Sequence, residues 1–324
     1  MTPEERRIRV AIGDISSGIL SGVSVTLVGH PFDTIKVRLQ SQPSPPHHLY
    51  NGLVDCVRKT FMQEGLSGFY RGVMAPLAGQ MLFRTLMFSI NAAYTREVVQ
   101  NGSLLGRMIP SLDGGGKGAP LRYSDYAFGG SIAWAVGTVV ECPINSVASQ
   151  MQVAVLRAQK PEFPTVWAYM RGAPARYGVA AALYPGFAPH LLRNFLGGAF
   201  HLGAFEWARR EYAAANAISL ASVPLPITLA AGGLGGILYW TLTYPIDCVK
   251  GVLQADELCA ERKRYKGALH AARVLWAEGG IARFWRGFTP CIIRAVPANA
   301  VVLTSGIWAR DEAYKLLGVG GIAG

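Results

Sequence analysis

Long stretches without charge alternate with short polar segments along this chain. No acidic or basic residue lies between Asp14 and Asp33, and none lies between Glu211 and Asp247. Other weakly charged stretches precede Glu141, follow Gly72, surround His201 and follow Arg294. A helix needs about 20 mainly apolar residues to cross the hydrocarbon core of a bilayer. The pattern therefore predicts six membrane-spanning helices.

The polar segments between paired spans predict short helices at the membrane surface. Residues 51–64 carry apolar side chains at every fourth position, whereas the charged side chains lie elsewhere on the helix. Residues 265–280 form a similar segment near the end of the chain. Both segments are expected to lie flat on the bilayer rather than to cross it.

Composition agrees with a membrane protein. Of the 324 residues, 51% are hydrophobic and only 16% are charged, whereas soluble domains carry about 25% charged residues. The net charge of +11 is spread over the connecting segments, without a zinc knuckle or a recognition helix. Anionic lipid and an anionic substrate are therefore the expected partners, and nucleic acid is not.

The cysteines and the N-terminus suggest no further chemistry. The five cysteines form no Cys-x-x-Cys pair and no His/Cys ligand spacing, so we expect small buried residues, no metal and no cofactor. The first residues combine acids with bases and do not look like a cleavable signal or transit peptide. Any organelle address is expected to be internal.

A threefold internal repeat organises the chain. Segments 31–40, 143–152 and 245–254 each begin with proline and end with glutamine nine residues later. An aromatic-x-Gly mark ends at Gly72, Gly186 and Gly287, between 41 and 43 residues after each proline. We assign repeat 1 to residues 10–101, repeat 2 to 120–216 and repeat 3 to 224–318. Residues 102–119 form a Gly-rich linker that lacks the spacing of a phosphate-binding loop.

The repeated charges point inward. A proline at the end of a span bends the helix, and in repeats 1 and 3 an acid follows it by two residues and a base by five, namely Asp33, Lys36, Asp247 and Lys250. Charges near lipid are costly unless they are paired or hydrated, so three such ends around an axis predict a gate of ion pairs. The alternative is that these charges mark the water interface.

At these residues the sequence resembles the mitochondrial carrier family, with the pattern Pro-x-acid-x-x-base-x-base-x-Gln followed by aromatic-base-Gly. The pattern is closest to the carnitine/acylcarnitine and ornithine-type amino-acid branch, and the resemblance covers nearly the entire chain. It implies an all-α membrane protein of six transmembrane helices in three pseudo-threefold repeats, with short amphipathic helices on the matrix side. It also implies a functional monomer in the mitochondrial inner membrane, with the peroxisomal membrane as the alternative.

The resemblance assigns roles to the motif residues. In the family's matrix gate, the acid of one repeat pairs with the base of another, which leaves Asp247 with Lys36, places Asp33 opposite Ala148 and places Asn145 opposite Lys250. Gln40, Gln152 and Gln254 resemble bracing residues of this gate, and Pro31, Pro143 and Pro245 would kink the helices.

A second gate is expected on the cytoplasmic side. Segment 205–209 matches the family's aromatic-acid-x-x-base pattern with Glu206 and Arg209. By alignment, Glu206 with Arg310 is the available pair. Exposed ion pairs contribute little, so interfacial helix charges are the alternative.

Three arginines lie within the predicted spans, at Arg84, Arg193 and Arg294. Because an arginine facing lipid is costly, we expect each to face a cavity. The family's substrate contacts align with Gly79, Gln80, Arg193, Asn194 and Arg294, and Arg84 lies about one turn away. Arginine holds a carboxylate well. The alternative is that one of them only neutralises a carbonyl or a helix end.

The resemblance leaves the substrate open. Amino-acid carriers usually place an acid after the second contact arginine, whereas Asn194 is closer to carriers of oxoacids and dicarboxylates. Glu141 could supply the missing charge or simply lie near the gate. We expect exchange of carnitine/acylcarnitine or an amino acid such as ornithine, through one central site by alternating access. An oxoacid/dicarboxylate carrier is the alternative, followed by a receptor or adaptor that has lost transport. No hydrolase or metalloprotease motif is present, and an enzyme is not expected.

Several glycines and arginines resemble the family's cardiolipin sites, where amides at a helix N-terminus meet phosphate. They are Gly52, Arg71, Gly72, Gly186, Gly267, Arg286 and Gly287. Segment 163–165 departs from this pattern in repeat 2, where a weaker site is expected.

Overall fold

A computed structural model describes residues 3–42, 49–77, 79, 83, 86, 90, 94, 97, 98, 122–153, 162–294, 297, 298, 301, 312 and 316. Every regular element within these residues is a helix, which confirms the predicted all-α class. Gln80, Arg84, Arg310 and the linker 102–119 lie outside the described residues. One of the described helices, Tyr123–Val153, is long and apolar enough by composition to cross a membrane.

The same order of elements recurs along the chain. In each repeat a long helix is followed by a short one, and among the described residues repeat 2 ends in a second long helix. The described helices are α1 (Pro3–Ser41), α2 (Leu53–Glu64), α3 (Tyr123–Val153), α4 (Val166–Tyr177), α5 (Val179–Leu183), α6 (Phe187–Ala215), α7 (Leu225–Gln254) and α8 (Ala268–Phe284). In repeats 1 and 3, helical residues resume at 74 and 288, and we use the name second long helix for the equivalent predicted span of every repeat.

The repeated prolines lie inside helices and do not end them. Pro31 lies in α1, Pro143 in α3 and Pro245 in α7. Each helix continues through the glutamine of its motif, because proline removes one backbone donor but still accepts helical dihedral angles. The acid and the base of a motif therefore project from one continuous helix.

The predicted surface helices are present, with shifted bounds. Helix α2 begins at Leu53, and α8 extends to Phe284 with non-helical dihedral angles at Gly279 and Gly280. Repeat 2 has α4, which begins after Thr165, whose side chain accepts a hydrogen bond from the Ala168 amide at 3.1 Å. Threonine is a good N-cap. Repeat 2 therefore has a threonine at the position where glycine precedes α2 and α8.

The chain divides into two compact units that do not follow the repeats. The first comprises residues 1–81, 147–172 and 287–324, and the second comprises residues 82–146 and 173–286. The core of the first is formed by Ile35, Leu39, Tyr50, Cys56 and Phe69. The core of the second is formed by Cys248, Val249, Val252, Tyr265, Ala271 and Leu275.

Within each unit, a glycine lets one repeat approach the next. Gly72 has φ +79°, and a methyl group there would lie 2.9 Å from Cβ of Met151. Gly186 has φ +67°, and a methyl group there would lie 3.1 Å from Cβ of Leu253. Both backbone shapes favour glycine. The start of a second long helix therefore packs directly on the first long helix of the following repeat.

Candidate substrate and gate site

Arg193 lies on α6, seven residues after Gly186, and carries the main charge of the second unit's candidate site. Its Nε atom is 3.0 Å from Oδ1 of Asp247 on α7, and both side chains are nearly buried. The guanidinium also lies over the rings of Tyr239 and Trp240, 5.0 and 5.4 Å from their centroids. A guanidinium among apolar helices needs an opposite charge or aromatic faces, and Arg193 has both.

Asn194 joins Arg193 to Glu141 of α3. Its Oδ1 atom accepts a hydrogen bond from Arg193 at 2.8 Å, and its Nδ2 atom donates to Glu141 at 2.7 Å and to Thr138 at 3.0 Å. An amide offers two donors and one acceptor oxygen, and all of these functions are used. The structure thus brings the carboxylate of Glu141 to the predicted contact position of α6.

His190 completes this cluster and was not predicted as a site residue. Its Nε2 atom lies 3.1 Å from Oε2 of Glu141, and its side chain is fully buried. The other carboxylate oxygen of Glu141 accepts a hydrogen bond from Asn145 at 3.2 Å. A histidine one turn before Arg193 and an acid in the uncharged part of repeat 2 were the available sequence signals. Their pairing depends on how α3 packs against α6.

Arg294 forms the corresponding pair in the first unit. Its Nη1 atom donates to Oδ2 of Asp33 at 2.9 Å, although the two residues are 261 positions apart. The side chains are 27% and 38% exposed, so this pair is more open than that of Arg193. A methyl group on Gly29 would lie 3.2 Å from Nη1 of Arg294. The absence of a side chain at Gly29 leaves room for the guanidinium.

These contacts add arginine partners to two acids of the predicted matrix gate. We expected Asp247 to pair with Lys36, Asp33 to face Ala148 and Asn145 to face Lys250. In this structure the two acids have arginine partners, Arg193 and Arg294. Asn145 donates to Glu141 of its own helix, and the expected gate partners of Asp247, Asp33 and Asn145 remain predictions. The arginine contacts of these acids were not predicted from the sequence.

Two of the motif glutamines lie beside the residue that precedes proline in the previous repeat. The Nε2 atom of Gln152 is 3.5 Å from Nε2 of His30, and that of Gln254 is 3.5 Å from Sγ of Cys142. Gln40 is buried as well. A bracing role for the three glutamines remains a prediction, and the described contacts of Gln152 and Gln254 run between repeats.

The residue before each proline also ties its long helix to the start of the second long helix. Nε2 of His30 lies 2.9 Å from the carbonyl oxygen of Arg71. Sγ of Cys142 lies 3.9 Å from that of Pro185, and the hydroxyl of Tyr244 donates to that of Arg286 at 3.0 Å. In every case the acceptor precedes Gly72, Gly186 or Gly287. We call these three contacts the pre-proline ties.

Two ion-pair groups that the sequence analysis missed lie at the surface helices. Arg38, fully buried in α1, donates to Glu64 at 2.6 Å and to Thr60 at 2.9 Å. In repeat 3, Arg283 donates to Glu278 at 2.8 Å, and Arg264 also pairs with Glu278. An acid before the glycine-containing turn in repeats 1 and 3 was the sequence signal. Buried charges of this kind need such partners.

On the predicted cytoplasmic side, Glu206 is almost fully buried and pairs within its own helix. Arg210 donates to it at 2.8 Å, and Arg209 lies 3.6 Å from it. Arg209 also donates to the Leu220 carbonyl at 3.0 Å. Arg210 was not predicted. The expected pair with Arg310 remains a prediction, because Arg310 is outside the described residues.

Comparison with known proteins identifies the family. The family model described as mitochondrial carrier protein matches residues 10–102, 120–215 and 221–310. The chain belongs to the mitochondrial carrier family. It is therefore a solute transporter and a multi-pass protein of the mitochondrial inner membrane.

Relatives of this carrier match over most of their length. A mitochondrial carnitine/acylcarnitine carrier-like protein of Arabidopsis thaliana is 33% identical over 89% of this chain and 93% of the relative. Mitochondrial ornithine transporter 1 of Mus musculus is 30% identical over 94% of this chain and 95% of the relative. A glutamate/glycine mitochondrial carrier of Schizosaccharomyces pombe is 29% identical over 89% and 90%.

Proposed function

We propose that this carrier exchanges a small metabolite that bears both a carboxylate and a positive charge. Carnitine, acylcarnitine or an amino acid such as ornithine fits this description. The observation that carries the proposal is the 2.7 Å hydrogen bond from Asn194 to Glu141. This bond holds a carboxylate next to Arg193 and Asn194. Amino-acid carriers usually have an acid at the position of Asn194, and Glu141 supplies the negative charge that this chain lacks there.

The two groups suit the two ends of such a substrate. The guanidinium of Arg193 can hold a carboxylate through paired N–H donors. Glu141 carries the negative charge that an ammonium group needs, and its side chain is 17% exposed. A second substrate carboxylate would instead meet Glu141 as a like charge. The arrangement therefore favours a zwitterion or a cationic amino acid over an oxoacid or a dicarboxylate.

The names of the relatives support the same substrate class. Those quoted above are carriers of carnitine or acylcarnitine, ornithine, and glutamate or glycine. All of these solutes combine a carboxylate with a nitrogen-bearing group. Transport would proceed by alternating access, with Arg193 and Arg294 as the basic contact residues.

A thermal-shift screen of the detergent-purified carrier tests the proposal. A ligand that binds only the folded protein raises the apparent unfolding temperature. We expect stabilisation by carnitine or ornithine, loss of this stabilisation in Glu141→Gln, and its retention in Glu211→Gln, which alters an exposed acid of α6. Exchange of the stabilising solute in liposomes should follow the same pattern.

Two outcomes would contradict the proposal. Stabilisation by a dianion alone, unaffected by Glu141→Gln, would favour the oxoacid or dicarboxylate carrier. If no solute in the screen stabilises the protein and none is exchanged in liposomes, a receptor or adaptor would be favoured.

Lipid binding is a second part of the proposal. Gly52 and Gly267 directly precede α2 and α8, and Gly186 precedes α6. The first amides of a helix point toward such positions and favour phosphate. We propose that cardiolipin binds there and at Gly72 and Gly287, with Arg71 and Arg286 nearby, and that the carrier works as a monomer. Stabilisation of the purified carrier by cardiolipin, but not by neutral lipid, is the expected result.

A further inference from the structure

The contact between Glu141 and His190 lies outside the repeat pattern. Glu141 lies two residues before the proline of repeat 2, and His190 lies four residues after the glycine that precedes α6. The equivalent residues in the other two repeats are Gly29, Thr243, Pro76 and Cys291. The pair of an acid and a histidine is therefore a feature of repeat 2 alone.

The contact determines which imidazole nitrogen of His190 carries hydrogen. Its Nε2 atom lies 3.1 Å from Oε2 of Glu141. An ionised carboxylate only accepts hydrogen bonds, so Nε2 is the donor, and Nδ1 of the neutral ring is an acceptor without hydrogen. Nδ1 is buried and has no hydrogen-bond partner among the described residues. A proton can therefore add at Nδ1 without breaking the bond to Glu141.

The charged side chains around this pair come from three helices. Besides Glu141 of α3, they are Arg193 of α6, which lies 4.0 Å from Oε1 of Glu141, and Asp247 of α7, which lies 3.0 Å from Arg193. The charge of Lys250, also on α7, acts on both Glu141 and His190. These two acids and two bases balance while His190 is neutral. A proton on His190 therefore adds one positive charge beside the carboxylate of Glu141.

The proposed function brings another cation to the same carboxylate. There, the positively charged group of the substrate lies against Glu141. One carboxylate attracts a single neighbouring cation, whereas two cations at that carboxylate repel each other. An unbalanced charge is costly among membrane-spanning helices. An imidazolium at His190 and the substrate cation are therefore alternative partners of Glu141.

We propose that His190 and Glu141 form a proton-binding site, and that the carrier exchanges this proton for the positively charged group of its substrate. When the substrate cation reaches Glu141, the imidazolium gives up the proton at Nδ1 to solvent and becomes neutral. When the substrate leaves, the ring takes up one proton again. One proton thus moves in the direction opposite to each substrate molecule. This inference rests on the proposed function for the position of the substrate cation.

Carnitine is the probe for this exchange, because its quaternary ammonium binds no proton and its carboxylate stays ionised above about pH 5. Thermal-shift titrations between about pH 5.5 and pH 8.5 cover the range in which histidine titrates. Carnitine should bind more tightly as the pH rises, by up to about tenfold per pH unit where one proton is released. In liposomes that contain a pH-sensitive dye, carnitine uptake should raise the internal pH. Constant affinity across this range would overturn the proposal.

Two histidine variants test the site itself. His190→Gln keeps a donor for Glu141 but cannot take up the proton, so its affinity for carnitine should not change with pH, and uptake should no longer change the internal pH. His270→Gln, which removes a histidine from surface helix α8, should behave like the wild type. An unchanged pH dependence in His190→Gln would show that the proton binds elsewhere.

A count of protons needs no variant and covers the case in which His190→Gln does not fold. Titration calorimetry of the wild type with carnitine, in two buffers of different ionisation enthalpy, measures the protons released on binding. We expect up to about one proton per carnitine near pH 6. A count of zero would contradict the exchange.

A second ligand separates the exchange from a general effect of pH. 3-Hydroxybutyrate is carnitine without the trimethylammonium group and brings no cation to Glu141, so its binding should not tighten as the pH rises. Equal tightening would overturn the exchange and leave the proposed substrate class intact, and so would tighter binding of carnitine at low pH, because proton and substrate would then bind together. If neither carnitine nor ornithine binds at any pH, the proposed substrate class fails, and the exchange fails with it.

Discussion

Two junctions between successive repeats share a design but differ in their charge. The first junction, formed by His30, Gly72, Met151 and Gln152, joins repeat 1 to repeat 2. The second, formed by Cys142, Gly186, Leu253 and Gln254, joins repeat 2 to repeat 3. In both, a glycine abuts the next helix and a glutamine lies beside the residue before proline.

The two junctions differ in the position of their charged side chains. The second junction includes the Arg193–Asp247 pair within the span. The sequence positions equivalent to that pair are Gly79 in repeat 1 and Asn145 in repeat 2, and neither residue is charged. At the first junction, Arg38 contacts the Gln152 carbonyl at 3.3 Å and pairs with Glu64 of the surface helix. We infer that one junction places its charge where substrate is expected and the other uses it to fasten the surface helix.

Removing the central arginine of each junction should give the largest effect. Arg193→Ala removes the guanidinium beside the buried carboxylate of Asp247, and breaking a buried ion pair costs about 3–5 kcal/mol. Arg38→Ala should cost less, because Glu64 also pairs with Arg71 at 3.0 Å. The two variants should differ in function, because carnitine or ornithine should still stabilise Arg38→Ala but not Arg193→Ala. Thermal unfolding with and without ligand measures both effects. Arg38→Lys and Arg193→Lys provide milder versions if the alanine variants do not fold. Loss of the ligand response in both arginine series would remove the proposed distinction.

The glycines of the two junctions should rank by available space. Gly72→Ala places a methyl group 2.9 Å from Cβ of Met151, and Gly186→Ala places one 3.1 Å from Cβ of Leu253. Gly178 is the matched control, because it has φ +84° but open space around it. Positive φ alone costs about 1–3 kcal/mol. The unfolding temperature should therefore fall most for Gly72→Ala and least for Gly178→Ala, and equal falls would show that close packing adds nothing.

The repeat pattern predicted where most of the described helices begin and where the prolines lie, but it predicted few of the side-chain contacts. The prolines, the glycine starts and the helix at 53–64 follow from residue spacing, because each reflects local backbone geometry. The partners of Asp33 and Asp247 do not, because register alone identifies equivalent positions and not which neighbour a long side chain reaches. Arg38 with Glu64 was missed for the same reason.

The pre-proline ties allow a finer test of the junctions. His30→Phe removes the group that reaches the Arg71 carbonyl, whereas His30→Tyr introduces the hydroxyl that repeat 3 uses at Tyr244. One hydrogen bond contributes about 1 kcal/mol. Chemical denaturation should find the tyrosine variant more stable than the phenylalanine variant by about this amount. Equal stabilities would mean that the tie at the first junction is only packing.

The smallest expected effect is a change in the reactivity of a thiol at the first junction. Cys56 lies on surface helix α2, and burial raises its pKa to about 11. At pH 8 only about one thiol in a thousand is then ionised, and this fraction grows about tenfold per pH unit until the pKa is approached. A maleimide should label half-buried Cys259 well before Cys56. Arg38→Lys, which weakens the attachment of α2, should speed labelling of Cys56, and no change would argue against that attachment.

The pre-proline ties also bear on how the repeats can diverge. Their acceptor is a main-chain carbonyl, which every amino acid supplies. A substitution can therefore change only the side chain that acts as the donor. Imidazole, thiol and phenol all fill this role here. A contact of this kind can persist when its donor side chain changes, and the three repeats of this chain use three different donors for it.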